Sequence, residues 1–287
     1  MKKIIVFGKT GFIGKNLAEE LEKDYKVVAP SHAEIDLCDE SALKAFLAKE
    51  APEIVINATD LRASGENYFE TRMRMFDNLA KYSGYCGKII FFGSGAEYDR
   101  QLSIKNITED EFDRVIPTDS YGYCLYKMTE KANRSNNIYN LRLFGIFGKY
   151  ELWDKRFISN SICKALCGYP ITIRQDKLFD YLCIDDLLKI VLWMSENTPK
   201  HHDYNAVSGR SISLSAIADM VKRELNSDVP VLIASPGMGQ EYTASNARLV
   251  EEYKGFTAEP MEASLVGLVQ FYRQIMDTIS REKLLYN

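Results

Sequence analysis

The chain has no uninterrupted apolar run near the roughly 20 residues that a membrane-spanning helix requires. Nor has it a run of Lys and Arg. Its 36 basic residues are set against 40 acidic ones for a net charge of -4, which argues against the basic stripe of a nucleic-acid binder. Met1-Lys2-Lys3 leads into a short apolar stretch that stops at Gly8, unlike a secretory signal. The expectation is a soluble, cytoplasmic protein. None of the six cysteines forms a CxxC pair. Cys163 and Cys167 stand one helical turn apart, but two thiols are not a zinc site. Reduced, buried thiols are the plain reading. Histidine is scarce, with only His32 and the pair His201-His202, and that pair lies in a polar stretch that reads as a solvated loop. No metal site is expected.

What is present is an ordinary globular composition, 46% apolar and 26% charged. The first half alternates short apolar runs with helical periodicity. Strands are predicted over 4–7, 26–29, 54–56, 88–92 and 139–144, and helices over 12–23, 40–49, 73–81 and 121–134. Strands separated by helices of this length predict an α/β Rossmann fold, a doubly wound parallel sheet with right-handed crossovers. Beyond Gly148 the rhythm loosens. Residues 1–148 are read as a dinucleotide-binding domain whose sheet a later strand completes, and 149–287 as a smaller, mixed substrate domain.

Gly8-Lys9-Thr10-Gly11-Phe12-Ile13-Gly14 falls between the first strand and the first helix. A strand that must turn sharply, let a pyrophosphate approach its backbone and pack closely on a helix needs glycines at such positions. The helix N-terminus then offers free N–H groups and a positive dipole end to phosphate. The end of the second strand, Ala29-Pro30-Ser31-His32, has no acid for a ribose 2′-hydroxyl before Glu34. Lys9 suits a 2′-phosphate, which favours NADP over NAD.

The GxxGxxG spacing resembles that of the extended short-chain dehydrogenases and, within them, the NAD-dependent epimerase/dehydratase family that modifies nucleotide sugars. Ile35-Asp36-Leu37-Cys38-Asp39 is similar to the family's acidic loop, which implies that Asp36 and Leu37 lie near the adenine. Asn57-Ala58-Thr59 is similar to the turn that borders the cofactor. Phe91-Phe92-Gly93-Ser94-Gly95-Ala96-Glu97-Tyr98 resembles the segment with the catalytic serine, here Ser94. The resemblance implies a tyrosine that exchanges a proton with the substrate oxygen, and a lysine one turn later that favours the phenolate.

Two registers compete for that pair in Pro117-Thr118-Asp119-Ser120-Tyr121-Gly122-Tyr123-Cys124-Leu125-Tyr126-Lys127. Flanking Pro117 and Gly122 favour Tyr121, which puts Leu125 where the lysine belongs. Spacing favours Tyr123 with Lys127, four residues apart on one helix face.

Asn140 to Gly148, Phe179 to Leu187 and Tyr204 to Leu214 resemble later family segments, with Phe179 where many members carry arginine. A sugar diphosphate calls for arginine, and Arg142, Arg174, Arg210 and Arg248 are candidates, with Trp153 and Tyr242 as pocket aromatics. Asp185 and Asp186 read as a helix N-cap and favourable dipole charges. The implied function is an NAD(P)-dependent epimerase or ketoreductase acting on a nucleotide-diphosphate sugar. A dehydratase is disfavoured because Thr118-Asp119 does not supply its extra acid pattern and Ser94 stands in place of threonine. The alternatives are a non-catalytic NAD(P) sensor or scaffold, or a reductase of another small carbonyl. A homodimer is implied by the resemblance alone.

Overall fold

A computed structural model of the protein describes residues 1–60 and 67–285. The first half runs β1 (Lys3–Phe7), α1 (Phe12–Leu21), β2 (Lys26–Val28), α2 (Glu40–Glu50), β3 (Ile54–Asn57), α3 (Tyr68–Lys81), β4 (Lys88–Ser94), β5 (Ile104–Ile107), α4 (Ser120–Ala132), β6 (Ile138–Leu143) and β7 (Gly145–Phe147). The rest comprises α5 (Phe157–Leu166), β8 (Ile171–Asp176), β9 (Leu178–Cys183), α6 (Ile184–Glu196), β10 (Asp203–Ala206), β11 (Ser211–Ser213), α7 (Leu214–Leu225), β12 (Val231–Met238), β13 (Tyr242–Ala244), α8 (Ala247–Glu252), α9 (Met261–Ile275) and α10 (Arg281–Leu285).

Six strands form one parallel sheet in the order β10-β6-β4-β3-β1-β2. The inner strands are apolar at nearly every position because both sheet faces are covered. In β1, Ile4 and Val6 join the core on one face, against Leu17 and Leu21 of α1, while Ile5 and Phe7 join the other, against Leu43, Leu47 and Phe76. Fully burying such side chains contributes about 1.5–3 kcal/mol each. Strand β10, far along the chain, closes one edge of the sheet beside β6.

The smaller part is mixed. β13 runs parallel to both β5 and β9, and β7 runs parallel to β9, while β11 is antiparallel to β9. β8 and β12 form a separate parallel pair. Asp185 and Asp186 lie in the first turn of α6, as dipole arguments require, but the N-cap is Cys183, not an acid. Asp186 instead accepts from Glu259 N at 2.9 Å and pairs with Lys189 at 2.8 Å. All six cysteines are free, and no metal-binding cluster of His, Cys, Asp and Glu occurs among the described residues. Nor is any described helix long and apolar enough to cross a membrane.

Chain order reverses between β1 and β3, which lie side by side although β2 intervenes in sequence. The crevice outside the carboxyl ends of strands at such a switch point is where open α/β sheets bind ligands.

Candidate functional site

At that crevice the glycine loop lines a cavity of about 790 Å³ together with Pro30, Ser31, His32, Ile35, Leu37, Ala58 and Thr59. Gly8 has φ +86°, and a Cβ there would lie 2.6 Å from the Ala58 carbonyl oxygen. A Cβ at Gly14 would come within 2.2 Å of the Gly8 oxygen, so α1 rises directly against the turn. The first N–H groups of α1 thus face the cavity at its positive end. Of the two acidic-loop residues, Leu37 lines the cavity, while the Asp36 carboxylate accepts from Cys38 N at 2.8 Å within its own turn. Asn57 accepts from the Thr59 hydroxyl at 2.7 Å and leaves Ala58 and Thr59 on the cavity wall. Lys9 from the glycine loop and Ser31 and His32 after β2 line the same cavity. Glu34 there accepts from Ser31 N at 2.6 Å and from its hydroxyl at 2.7 Å.

A second cavity, about 420 Å³, continues from the first past Phe12, Ile13, Ala58, Thr59 and Asp60. Ser94 and Tyr121 both line it. Ser94 ends β4, and its backbone N–H donates to Glu97 at 3.0 Å. Glu97 is buried and accepts from Arg142 Nε at 2.6 Å and from the Thr129 hydroxyl at 2.8 Å. Because Thr129 belongs to α4, one carboxylate ties the serine turn to the helix that bears Tyr121. That helix approaches as far as sterics permit, since a Cβ at Gly122 would sit 2.5 Å from the Ala96 oxygen. Asp119 caps the helix, accepting from Gly122 N at 3.0 Å.

The helix decides what the two tyrosine registers face. Two residues advance the direction around a helix by about 200°, so Tyr123 points away from the cleft. It is 39% exposed and stacks on Phe69 at 5.8 Å. Lys127 pairs with Glu130 on that outer side. Tyr121 faces the cleft, and Leu125 one turn later is fully buried.

The arginine expectations need correction. Arg142 is fully buried and ion-paired with Glu97 and Asp203, bracing the sheet rather than meeting a ligand. Arg248 pairs with Asp203 at 3.0 Å and Asp110 at 2.6 Å, while Arg174 and Arg210 lie on the exposed surface outside both cavities. Trp153 packs on the core. The Tyr242 hydroxyl lies behind Ser94, 3.4 Å from its Oγ. Among the described residues, the cations that do line the cleft are Arg72, Lys155, Arg156 and Lys177. No sequence spacing marks them, because they come from separate loops and from α3. Glu151, also missed, is buried where the two cavities meet. Burial pushes its carboxyl up to about 8, against the bond it accepts from the Ser159 hydroxyl.

Residues 4–206 match the profile of the NAD dependent epimerase/dehydratase family. The chain belongs to that family. GDP-L-colitose synthase of Yersinia pseudotuberculosis is 27% identical over a stretch covering 53% of this chain and 56% of that protein. UDP-glucose 4-epimerase of Caenorhabditis elegans is 25% identical over 78% of this chain and 75% of that one. Among solved structures, a GDP-L-fucose synthetase from Naegleria fowleri bound to NADP superposes with a TM-score of 0.80. It shares 19% identity and covers 96% of this chain and 95% of its own, a likeness of fold. The matched residues include the glycine loop and the Ser94 turn, which sit on the elements that form the two joined cavities.

Proposed function

We propose that this chain is an NAD(P)-dependent reductase or epimerase of a nucleotide-diphosphate sugar, with Tyr121 as its acid–base group and Ser94 beside it. The observation that carries the reading is their shared cleft, continuous with the cavity under the glycine loop. A bound nicotinamide cofactor would supply the hydride chemistry at a sugar carbon, with the backbone of residues 8–14 placed to hold its diphosphate and Leu37 to border its adenine. Lys9, Ser31 and His32 favour the 2′-phosphate of NADP. Tyr121 gives a proton to the carbonyl oxygen in reduction, or takes it from the hydroxyl in oxidation, while the Ser94 hydroxyl hydrogen-bonds that oxygen. Lys155, Arg156 and Lys177 offer positive charge for a diphosphate, next to Phe144, Phe157 and Phe179 for a base or sugar face. The names of the similar colitose synthase and glucose epimerase support a nucleotide sugar as the substrate class.

Leu125 favours a second reading, a cofactor-binding protein without turnover, because an apolar side chain cannot hold a charge by Tyr121. The test is to incubate the protein with NADPH or NADH and a panel of GDP-, UDP-, dTDP- and CDP-linked sugars and 4-keto sugars. Hydride transfer is followed by absorbance, and epimers by chromatography. Tyr121→Phe is expected to lower kcat about 10²–10⁴-fold with cofactor affinity intact. Turnover unchanged in that variant would overturn the assignment of Tyr121. Cofactor binding with no turnover on any sugar would leave the second reading standing.

A further inference from the structure

A buried phenol is a poor base near neutral pH, and a positive charge close by is what makes it a better one. Helix α4 does not provide that charge on the cleft side: Leu125 is apolar and fully buried, and Lys127 is paired with Glu130 on the outer face. Among the described residues, one guanidinium group lies over the Tyr121 ring and another lines the same cavity. Arg100 lies 5.2 Å from the centre of its ring, but its side chain is half exposed, it is bonded to Asp119 at 3.0 Å, and it does not line the cleft. Arg72 reaches in from α3, with its side chain only 11% exposed, and lines the same cavity as Tyr121, Ser94, Thr59 and Asp60.

Arg72 is also held in place. Its Nη1 donates to the Tyr68 hydroxyl at 3.0 Å, and the Tyr68 ring centre is 6.1 Å from that of Tyr121. The Asp60 carboxylate, 3.7 Å away, anchors it from the strand side. Burial pushes the Tyr68 hydroxyl up to about 12, with the Arg72 charge pulling the other way, and the same charge acts on Cys124 beside Leu125.

We infer that Arg72 is the positioning residue that supplies, from α3, the positive charge that Leu125 cannot supply from α4. The inference rests on Tyr121 being the acid–base group. It differs from a lysine in kind: a guanidinium stays charged throughout the working range and presents a planar fork of donors. Its Nη1 is shared between the Tyr68 hydroxyl and the Asp60 carboxylate, and the side chain lines the cleft together with Tyr121. Among the described residues, the other charged or titratable groups set around Tyr121 include Tyr68 from α3, Asp60 after β3, Arg100 and Asp119 ahead of α4, and Tyr242 from β13.

The test uses the full chain as wild type, R72Q, R72K and R72Q/L125K, each also carrying Y121F. Ultraviolet difference titration of each protein against its own Y121F partner reads the ionisation of Tyr121 with no substrate present. In R72Q, Tyr121 is expected to ionise about 1 pH unit higher, within the range for loss of a nearby opposite charge. R72K should keep most of the wild-type value, and L125K should restore part of it in the R72Q background. With NADPH and whichever nucleotide sugar the wild type turns over, the pH profile of kcat should shift in the same direction while KM for NADPH changes less. Wild-type ionisation of Tyr121 in folded R72Q would overturn the inference. If R72Q fails to fold, R72M takes its place: an uncharged side chain of similar length should give the same rise, and wild-type ionisation of Tyr121 in folded R72M would overturn the inference. The two levels of the argument fail separately. Full turnover in Y121F removes the tyrosine assignment, whereas loss of turnover in Y121F with an unchanged R72Q profile removes only the role of Arg72.

Discussion

Glu151→Gln is expected to reverse part of the protein's pH dependence of stability. Glu151 is 5% exposed, and its burial outweighs the Ser159 hydroxyl that donates to it, so in the native state it sits in a site that disfavours its charge. Burial raises its carboxyl from 4.5 to about 8. The native state then keeps a proton that the unfolded chain has released, so stability is greatest at low pH for this group. It declines as pH rises from about 4.5 and is fully lost above about 8. At about 1.4 kcal/mol per unit, the shift amounts to roughly 5 kcal/mol. Glutamine keeps the shape and can accept from Ser159, yet never charges. Relative to wild type, the variant should therefore gain roughly 5 kcal/mol between about pH 5 and about pH 9. With an unfolding entropy of about 2.1 cal/mol/K per residue over 287 residues, that is about 8 °C in Tm. The assay is thermal and urea unfolding of both proteins across that range, in which other titrations largely cancel. Parallel curves for the two proteins would refute the reasoning, because a solvated Glu151 would give no differential.

Three further outcomes follow from packing and charge. Gly14→Ala forces a Cβ to within 2.2 Å of the Gly8 oxygen, so the turn must open. Titration of NADPH fluorescence should show its affinity falling well over tenfold, about 1.4 kcal/mol or more. Arg142→Ala leaves Glu97 and Asp203 facing an emptied site. Breaking such a buried pair should cost about 3–5 kcal/mol, read as a lower urea midpoint with unchanged m. Lys9→Ala is expected to weaken NADP several-fold, in the range of one charge contact of about 1 kcal/mol, while leaving NAD nearly unaffected. Equal losses for both cofactors would argue against a 2′-phosphate contact at Lys9.

How much was legible before folding varies with the range of the interaction. The parallel sheet was readable because each inner strand is apolar on both faces, a local consequence of being covered twice, and because turns and helices of the right length separate the strands. The glycine loop was readable for the same reason, since its constraint lies within seven residues. Ser94 carried a local signal too, a serine between Gly93 and Gly95 after a strand, in a segment that resembles the family's.

Spacing alone left the tyrosine open. Tyr123 and Lys127 do share a helix face, as their separation of four requires, but only the docking of α4 against the Ala96 turn decides that this face points outward and that Tyr121 points into the cleft. Arg142 looked like a ligand cation in one dimension. In three, it meets carboxylates 45 and 61 residues away and disappears into the core. Arg72 and Glu151 carried no motif at all, since their neighbours are brought to them by other strands and helices. The sequence by itself determined the alternation of strands and helices that makes a parallel sheet, and the phosphate turn, because those are set by period and by local sterics. Which charges face the cleft, and which acid is kept neutral there, was decided only by tertiary packing, because burial and charge pairing are properties of distances between segments that the chain does not place side by side.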